Sequence, residues 1–285
     1  MSSFHRKANG SAGCLDRRTF LHSIPIAAAA LYAAPASAAI SVDDQPVPTP
    51  EQAHGEAIPN MMGSEQIAML VYPGFTALDL VGPHFFLSGL MGAKVHLVTN
   101  QPTLAPVVSD AGLAVTPTAR LQDMPARLDV IFVPGGFQGT LAAMTHAPTL
   151  EFLKSASVEA RFVTSVCTGS FILAAAGLLK GRRATSHWAA RESLAAFGVM
   201  PIDERVVSDG KFITGAGISA GLDAGLTIVA ALRGRSYAEA QMLQAEYAPV
   251  PPFPGGRPET TAPAITSAMQ GMLGGFNARA RAIAG

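Results

Sequence analysis

The segment Arg161–Leu179 reads RFVTSVCTGSFILAAAGLL. Its first half is apolar and rich in β-branched residues and its second half is rich in Ala and Leu, so it predicts a strand followed at once by a helix. Cys167 lies at the junction, before Thr168 and Gly169. A reactive side chain at such a tight turn forms a nucleophile elbow, in which small neighbours give the strained residue room. We therefore predict that Cys167 is a nucleophile; a buried structural cysteine is the alternative.

The N-terminal residues have the features of an export signal. Arg17-Arg18 is followed by Phe20-Leu21, then by an apolar run from Ile24 to Ala34 and by the small-residue site Ala36-Ser37-Ala38. This pattern predicts a twin-arginine signal peptide over residues 1–38 and a periplasmic protein. The apolar run is shorter than the ~20 residues that a membrane anchor needs. We therefore expect no stable attachment to the membrane after cleavage.

Cleavage after Ala38 would remove Cys14, one of the two cysteines of the chain. Cys167 would then be the single thiol, and an unpaired thiol in an exported protein suggests reactivity. Residues 39–64 are rich in Pro and polar residues without periodicity, which predicts a disordered linker. The remaining residues predict one domain over 65–263 and a helical tail over 264–285. The 20 basic and 20 acidic residues balance, so nothing favours a nucleic-acid partner.

Alternating apolar strands and amphipathic helices follow the linker. This alternation predicts an α/β fold, with a mainly parallel sheet between two layers of helices. The predicted strands are Gln66–Tyr72, Lys94–Thr99, Leu128–Pro134, the elbow strand, a strand near Arg205–Val207 and Lys211–Thr214, with a hairpin or crossover between Val107 and Leu121. The predicted helices are Phe75–Leu90 with an interruption at Gly82-Pro83, Thr140–Met144, Pro148–Ala160, the elbow helix, Ala190–Phe197, Leu222–Leu232 and Tyr237–Glu246.

Several candidate site residues follow the ends of predicted strands, where the ligands of parallel sheets bind. Gly135 and Gly136 can present a backbone N–H beside that of Thr168, which would form an anion hole. Asp79 stands among apolar residues, so it is either a helix cap or a desolvated acid with a raised pKa. The N-terminus of the elbow helix is expected to favour the thiolate of Cys167.

Three further residues are candidates for a role at or near the site. Thr168 takes the place of the histidine that a protease-like Cys-His pair would need, and its hydroxyl can serve the site. His187 is a candidate general base, although histidines with apolar neighbours are more often structural. Asp223 opens a predicted helix, and its simplest role is a charge at the helix N-terminus. The sequence shows no Cys/His cluster of the kind that holds a metal ion.

Three of these motifs together resemble the DJ-1/PfpI superfamily of class I glutamine amidotransferase-like proteins. They are Leu78–Pro83, Phe132–Gly136 and Val163–Ser170. Further segments resemble its isonitrile hydratase branch: Ala175–Trp188, Glu204–Val207, Thr214–Gly221 and Glu246–Phe253. The similarity runs from about Glu65 to Pro263. The elbow motif alone is also shared with sensor domains of transcription regulators.

The resemblance implies a homodimeric, flavodoxin-like domain that hydrates an isonitrile to an N-substituted formamide through a covalent thioimidate, without a cofactor. By position, Cys167 is similar to the nucleophile of that branch, and Asp79 and Thr168 are similar to its supporting residues. The predicted leader sets this chain apart, because the hydratases of that branch are cytosolic. The alternatives are a thiol stress protein and a ligand-binding module without enzymatic activity.

Overall fold

The computed structural model describes residues 60–285. Its centre is a seven-stranded sheet of β1 (Gln66–Val71), β2 (Lys94–Thr99), β5 (Ala119–Arg120), β6 (Val130–Val133), β7 (Phe162–Val166), β10 (Val206–Asp209) and β11 (Phe212–Gly215). The strands lie in the order β10-β11-β7-β6-β1-β2-β5. All neighbouring strands in it run parallel except β10 and β11. The predicted α/β fold with a mainly parallel sheet is therefore confirmed.

Four short strands form two small sheets beside the central one. They are the antiparallel hairpin of β3 (Val107–Val108) and β4 (Ala114–Val115), and the parallel pair of β8 (Arg183–Ala184) and β9 (Met200–Pro201). The hairpin confirms one of the two arrangements that were predicted between Val107 and Leu121. It also contacts the loop after β1, where the Gly74 N–H donates to the carbonyl oxygen of Val108 (2.9 Å).

Helices of the described chain surround the central sheet. They are α1 (Ala77–Ser88), α2 (Phe137–Met144), α3 (Ala147–Ser157), α4 (Gly169–Ala175), α5 (Ala220–Arg233), α6 (Arg235–Gln244), α7 (Pro263–Met272) and α8 (Gly274–Ala284). The predicted helix Ala190–Phe197 is a 3-10 helix over Arg191–Phe197. The core consists mainly of buried aliphatic and aromatic side chains from the strands and from the inner helix faces.

Helix α1 continues through Gly82-Pro83, so the predicted interruption is wrong. Proline has no backbone N–H, so the helix lacks one hydrogen bond at Pro83, and other contacts must offset this loss. Pro83 packs against α5 at Gly221 and Gly225, where an added Cβ would come within 3.2 Å and 3.1 Å of it. Two glycines on α5 thus allow the helices to approach closely, and this packing keeps α1 continuous.

The C-terminal residues form two helices, of which α8 packs on the body of the domain. Phe276 is 3% exposed. Its ring lies edge-to-face on Phe137 (centroids 6.1 Å apart) and on Phe171 (5.2 Å). Phe137 opens α2 and Phe171 belongs to the elbow helix α4. Helix α8 therefore supports the two helices that begin next to the predicted site.

Arg233, at the end of α5, holds the residues before β1 against the domain. Its guanidinium is buried and pairs with Glu65, with 2.6 Å between Nε and Oε1. It also donates to the carbonyl oxygens of Asn60, Met61 and Met91. Asn60 and Met61 lie at the end of the predicted disordered linker 39–64, and their bonds to Arg233 hold this end on the domain.

The predicted signal peptide and residues 39–59 lie outside the described residues. Within residues 60–285, no helix has the length and the apolar character needed to cross a membrane.

Candidate active site

Cys167 stands in a strained turn between β7 and α4. Its φ of 57° lies in the left-handed region, which costs a non-glycine residue of order 1–3 kcal/mol. Its N–H donates to the carbonyl oxygens of Gly215 (3.1 Å) and Ala216 (2.9 Å). Its carbonyl oxygen accepts a hydrogen bond from the Ser186 hydroxyl (2.8 Å). These bonds hold the backbone in the geometry of the predicted nucleophile elbow.

Asp79 lies in the first turn of α1 and is completely buried. Its Oδ2 accepts the N–H of Gly135 (3.0 Å), whereas Oδ1 has no hydrogen-bond partner of normal geometry among the described residues. Burial raises the pKa of Asp79 to about 7, against the opposing effects of the Gly135 N–H and the Cys167 thiol. Because Asp79 caps no helix N-terminus, the structure favours the desolvated acid over the cap.

The thiol of Cys167 is 1% exposed and lies beside the Asp79 carboxyl. Burial, together with the negative charge of Asp79, raises its pKa well above the ordinary value. The backbone N–H groups of Thr168 and Ile218 hydrogen-bond to the sulfur and act in the opposite direction. The Thr168 N–H at the helix N-terminus thus favours the thiolate as expected, but burial and the charge of Asp79 outweigh it, so the net shift of the Cys167 pKa is upward.

The pair titrates as a unit, since each group changes the pKa of the other. When the shared anion forms near the Asp79 pKa of about 7, one proton remains between the carboxyl and the thiol. A proton on Asp79 removes the carboxylate charge that raises the pKa of Cys167. Loss of that charge makes an anion on the sulfur less unfavourable, and the N–H groups of Thr168 and Ile218 act in the same direction.

Gly135 and Gly136 lie at the site, but their N–H groups are already used. The Gly135 N–H donates to Asp79, and the Gly136 N–H donates to the Thr168 hydroxyl oxygen (3.1 Å). Neither group is free to form the predicted anion hole. A Cβ at Gly135 would stand 2.7 Å from Asp79 Oδ2 and 2.8 Å from Thr168 Oγ1, so this position has room only for glycine. The two glycines thus position the acid and the threonine.

Two residues that the sequence reasoning missed extend the site behind Thr168. The Thr168 hydroxyl oxygen lies 2.9 Å from Thr140 Oγ1, and Thr140 Oγ1 lies 3.2 Å from the Tyr72 hydroxyl. The Tyr72 hydroxyl donates to the carbonyl oxygen of Pro134 (2.8 Å). All three hydroxyl-bearing side chains are at most 1% exposed. No motif marks Tyr72 or Thr140, because a strand end and a helix interior bring them together only in the fold.

His187 and Asp223 do not take part in the cysteine pair's hydrogen bonds. Burial lowers the pKa of His187 to about 4. Its ring stacks edge-to-face on Phe137 and lies against Gly217. Asp223 lies in the first turn of α5, as expected. It also pairs with Arg205 (2.6 Å) and accepts a hydrogen bond from the Tyr247 hydroxyl (3.1 Å).

Among residues 60–285, no group of three or more His, Cys, Asp or Glu side chains is placed to hold a metal ion. The chemistry available from the described side chains is that of a thiol, a carboxyl of raised pKa and the backbone N–H groups around them.

The fold and the elbow define an α/β protein with a buried cysteine–carboxyl pair at the carboxyl ends of parallel strands. The chain matches the DJ-1/PfpI family over residues 65–231 and belongs to that family.

Two relatives are similar over most of their length. Isonitrile hydratase of Pseudomonas putida is 48% identical over 200 residues, which cover 70% of this chain and 86% of that protein. The crystal structure of a THiJ/PfpI family protein from Pseudomonas syringae is 49% identical, with a TM-score of 0.79 over 86% of this chain and 100% of that one. The HTH-type transcriptional regulator CdhR of Pseudomonas aeruginosa is 33% identical over 60% of this chain and 52% of its own length.

Proposed function

We propose that this protein hydrates an isonitrile to an N-substituted formamide, with Cys167 as the nucleophile and Asp79 as the acid and base. The observation that carries the proposal is the buried Asp79–Cys167 pair, in a chain 48% identical to an isonitrile hydratase. The terminal carbon of an isonitrile must gain both a proton and a nucleophile. A carboxyl with a pKa of about 7 beside a thiol can supply both at neutral pH.

The first half of the reaction forms the covalent intermediate. The sulfur anion of Cys167 attacks the terminal carbon, and Asp79 gives its proton to that same carbon. A C–S bond and a C–H bond form, the carbon–nitrogen triple bond becomes a double bond, and Asp79 is left as the carboxylate. The product is a thioimidate. Before the attack, the N–H groups of Thr168 and Ile218 stabilise the charge on sulfur.

The second half releases the formamide. The Asp79 carboxylate takes a proton from water as the water oxygen bonds to the thioimidate carbon, and it then passes that proton to nitrogen. Collapse of the tetrahedral intermediate breaks the C–S bond, and the hydroxyl proton returns to Asp79. The sulfur anion and the protonated acid are restored, so the cycle needs only water as a co-reactant.

The alternatives have less support from the site. Peroxide oxidises exposed thiols of low pKa, whereas Cys167 is buried and has a raised pKa, which disfavours a stress-sensing thiol. A ligand-binding module would fit the similarity to CdhR, but it would not need the acid beside the thiol. A protease is disfavoured because Thr168 stands where a Cys-His pair would need histidine.

Turnover of isonitriles by the purified full-length protein tests the proposal. We expect formamide from an aryl or alkyl isonitrile, detected by its formyl proton in NMR. The kcat/KM should rise as the pH passes through about 7, because the pair then loses its first proton. Cys167→Ala should lower kcat by roughly a thousandfold or more.

The second cysteine provides the matched control, since Cys14 lies in the predicted leader and Cys14→Ser should retain full activity. Absence of turnover by the wild-type protein over a broad panel of isonitriles would contradict the proposal, as would equal rates for wild type and Cys167→Ala.

Two further proposals concern the whole protein. The leader pattern of residues 1–38 supports export through the twin-arginine pathway to the periplasm. The resemblance and an apolar face of α1 support a homodimer, since Leu78, Val81 and Phe85 are each about half exposed and lie on neighbouring turns.

A further inference from the structure

The directions of the hydrogen bonds behind Thr168 follow from counting protons. Each hydroxyl has one proton to donate. The Tyr72 hydroxyl must donate to the Pro134 carbonyl oxygen, which can only accept. In its bond with Tyr72, the donor is therefore Thr140. With its proton used in this way, Thr140 can only accept from Thr168.

Thr168 is consequently an acceptor toward everything else around it. One lone pair of its oxygen accepts the Gly136 N–H, and its proton is directed away toward Thr140. The second lone pair remains for one more donor. Thr168 Oγ1 and Asp79 Oδ2 both lie next to Gly135, at 2.8 Å and 2.7 Å from the point where a Cβ of that residue would stand. The acceptor oxygen and the general base thus lie on either side of Gly135, close enough together for one water molecule to bond to both.

We infer that Tyr72 and Thr140 are positioning residues that keep the Thr168 hydroxyl an acceptor, so that it orients the water that hydrolyses the thioimidate. The inference rests on the proposed function. Water has two hydrogens, of which Asp79 removes one while Thr168 accepts a hydrogen bond from the other. The lone pair of the water oxygen then faces the thioimidate carbon, and the C–O bond forms.

Attack of the sulfur needs no water, so loss of the hydrogen bonds that join Tyr72, Thr140 and Thr168 should affect the second half of the reaction more than the first. Replacing Thr140 by the isosteric valine leaves the Thr168 proton without its acceptor. That hydroxyl is then free to turn and donate into the site, where it competes with the water. A variant that keeps a hydroxyl at position 140 should keep the donor and acceptor roles in these hydrogen bonds.

The experiment compares Thr140→Val, Thr140→Ser and wild type in isonitrile turnover, with intact-protein mass spectrometry of samples quenched during turnover. We expect Thr140→Val to lower kcat about tenfold to a hundredfold, the range for loss of one hydrogen bond that acts in the transition state. We also expect it to accumulate protein whose mass is raised by that of the isonitrile. Thr140→Ser should restore most of the rate and show no accumulation.

Thr149→Val is the matched control, because it removes another completely buried threonine hydroxyl, on α3, that bonds to His146 (2.8 Å) and not to the site. It should stay within about twofold of wild type, the effect of a structural change alone. If Thr140→Val turns over without accumulating adduct, or if Thr140→Ser is as slow as Thr140→Val, the inference is overturned while the proposed function stands. If wild type makes no formamide, the proposed function fails and this inference fails with it.

Discussion

At the scale of single residues, Asp79 is a carboxyl whose chemistry depends on its burial. Its carboxyl is completely buried, with one N–H partner and one oxygen without a partner of normal geometry among the described residues. Desolvation favours the protonated form, and this makes the side chain a proton donor near neutral pH. The same burial lowers the free energy of unfolding when the carboxyl is ionised.

The stability of the protein should therefore depend on the charge of Asp79. Its pKa is raised from 3.8 to about 7 in the folded protein, so between these values the folded state binds more protons than the unfolded state. The free energy of unfolding should fall as the pH rises from about 4 to about 7, by roughly 4 kcal/mol at most. Asp79→Asn removes this loss, because the amide does not ionise, and its oxygen can still accept the Gly135 N–H.

Urea unfolding of wild type and Asp79→Asn at pH 4 and pH 8 measures the effect. We expect similar stability at pH 4 and a more stable variant at pH 8, while the turnover of the variant falls about a hundredfold or more. Two curves of unfolding free energy that run parallel from pH 4 to pH 8 would show that Asp79 is not desolvated in the folded protein.

At the scale of elements, α1 has two different tasks. Its inner face carries Asp79 into the site and packs Pro83 against the glycines of α5. Its outer face exposes Leu78 (46%), Val81 (46%) and Phe85 (51%). A helix that presents apolar side chains on neighbouring turns to solvent is a candidate for a contact with a second copy of the chain.

Phe85→Glu should weaken the proposed homodimer, because the interface would have to bury a charge without a partner. Sedimentation velocity should show the mass of two chains for wild type and of one chain for the variant at micromolar concentration. Leu243→Glu is the control, since Leu243 is 80% exposed on α6 and its replacement should leave the dimer intact. A wild-type protein that sediments as a single chain would contradict the homodimer.

At the scale of the whole molecule, the proposed export should depend on the paired arginines of the predicted leader. Twin-arginine export carries folded proteins, which suits a domain whose thiol is buried only after folding. Arg17→Lys together with Arg18→Lys keeps both charges but removes the arginine pair. Cell fractionation should find the wild-type chain in the periplasm, shortened by about 38 residues as the cleavage site predicts, and the double variant in the cytoplasm.

A lysine substitution elsewhere at the N-terminus, Arg6→Lys, controls for a general effect of arginine replacement and should leave export unchanged. Full-length wild-type protein recovered only from the cytosol would contradict export.

Local sequence was enough for much of the fold and part of the site. Strand β2 is found over the predicted Lys94–Thr99, and Cys167 stands in the elbow that its neighbours indicate. Apolar alternation and small residues at a turn are properties of a few adjacent positions, so they can be read without the fold. The predicted break of α1 at Pro83 is wrong. The glycines of α5 that pack against Pro83 lie about 140 residues further along the chain, so no local pattern indicates this contact.

The sequence by itself determined the class of fold and the elbow cysteine, because hydrophobic periodicity and turn chemistry are local. It left Asp79 as either a helix cap or a desolvated acid. Only the tertiary structure decided how these groups behave. It shows that burial raises the pKa of Cys167, that the Gly135 and Gly136 N–H groups are already bonded, and that Thr140 lies within hydrogen-bond distance of both Tyr72 and Thr168. Desolvation and hydrogen-bond direction depend on atoms that come together only when distant segments pack.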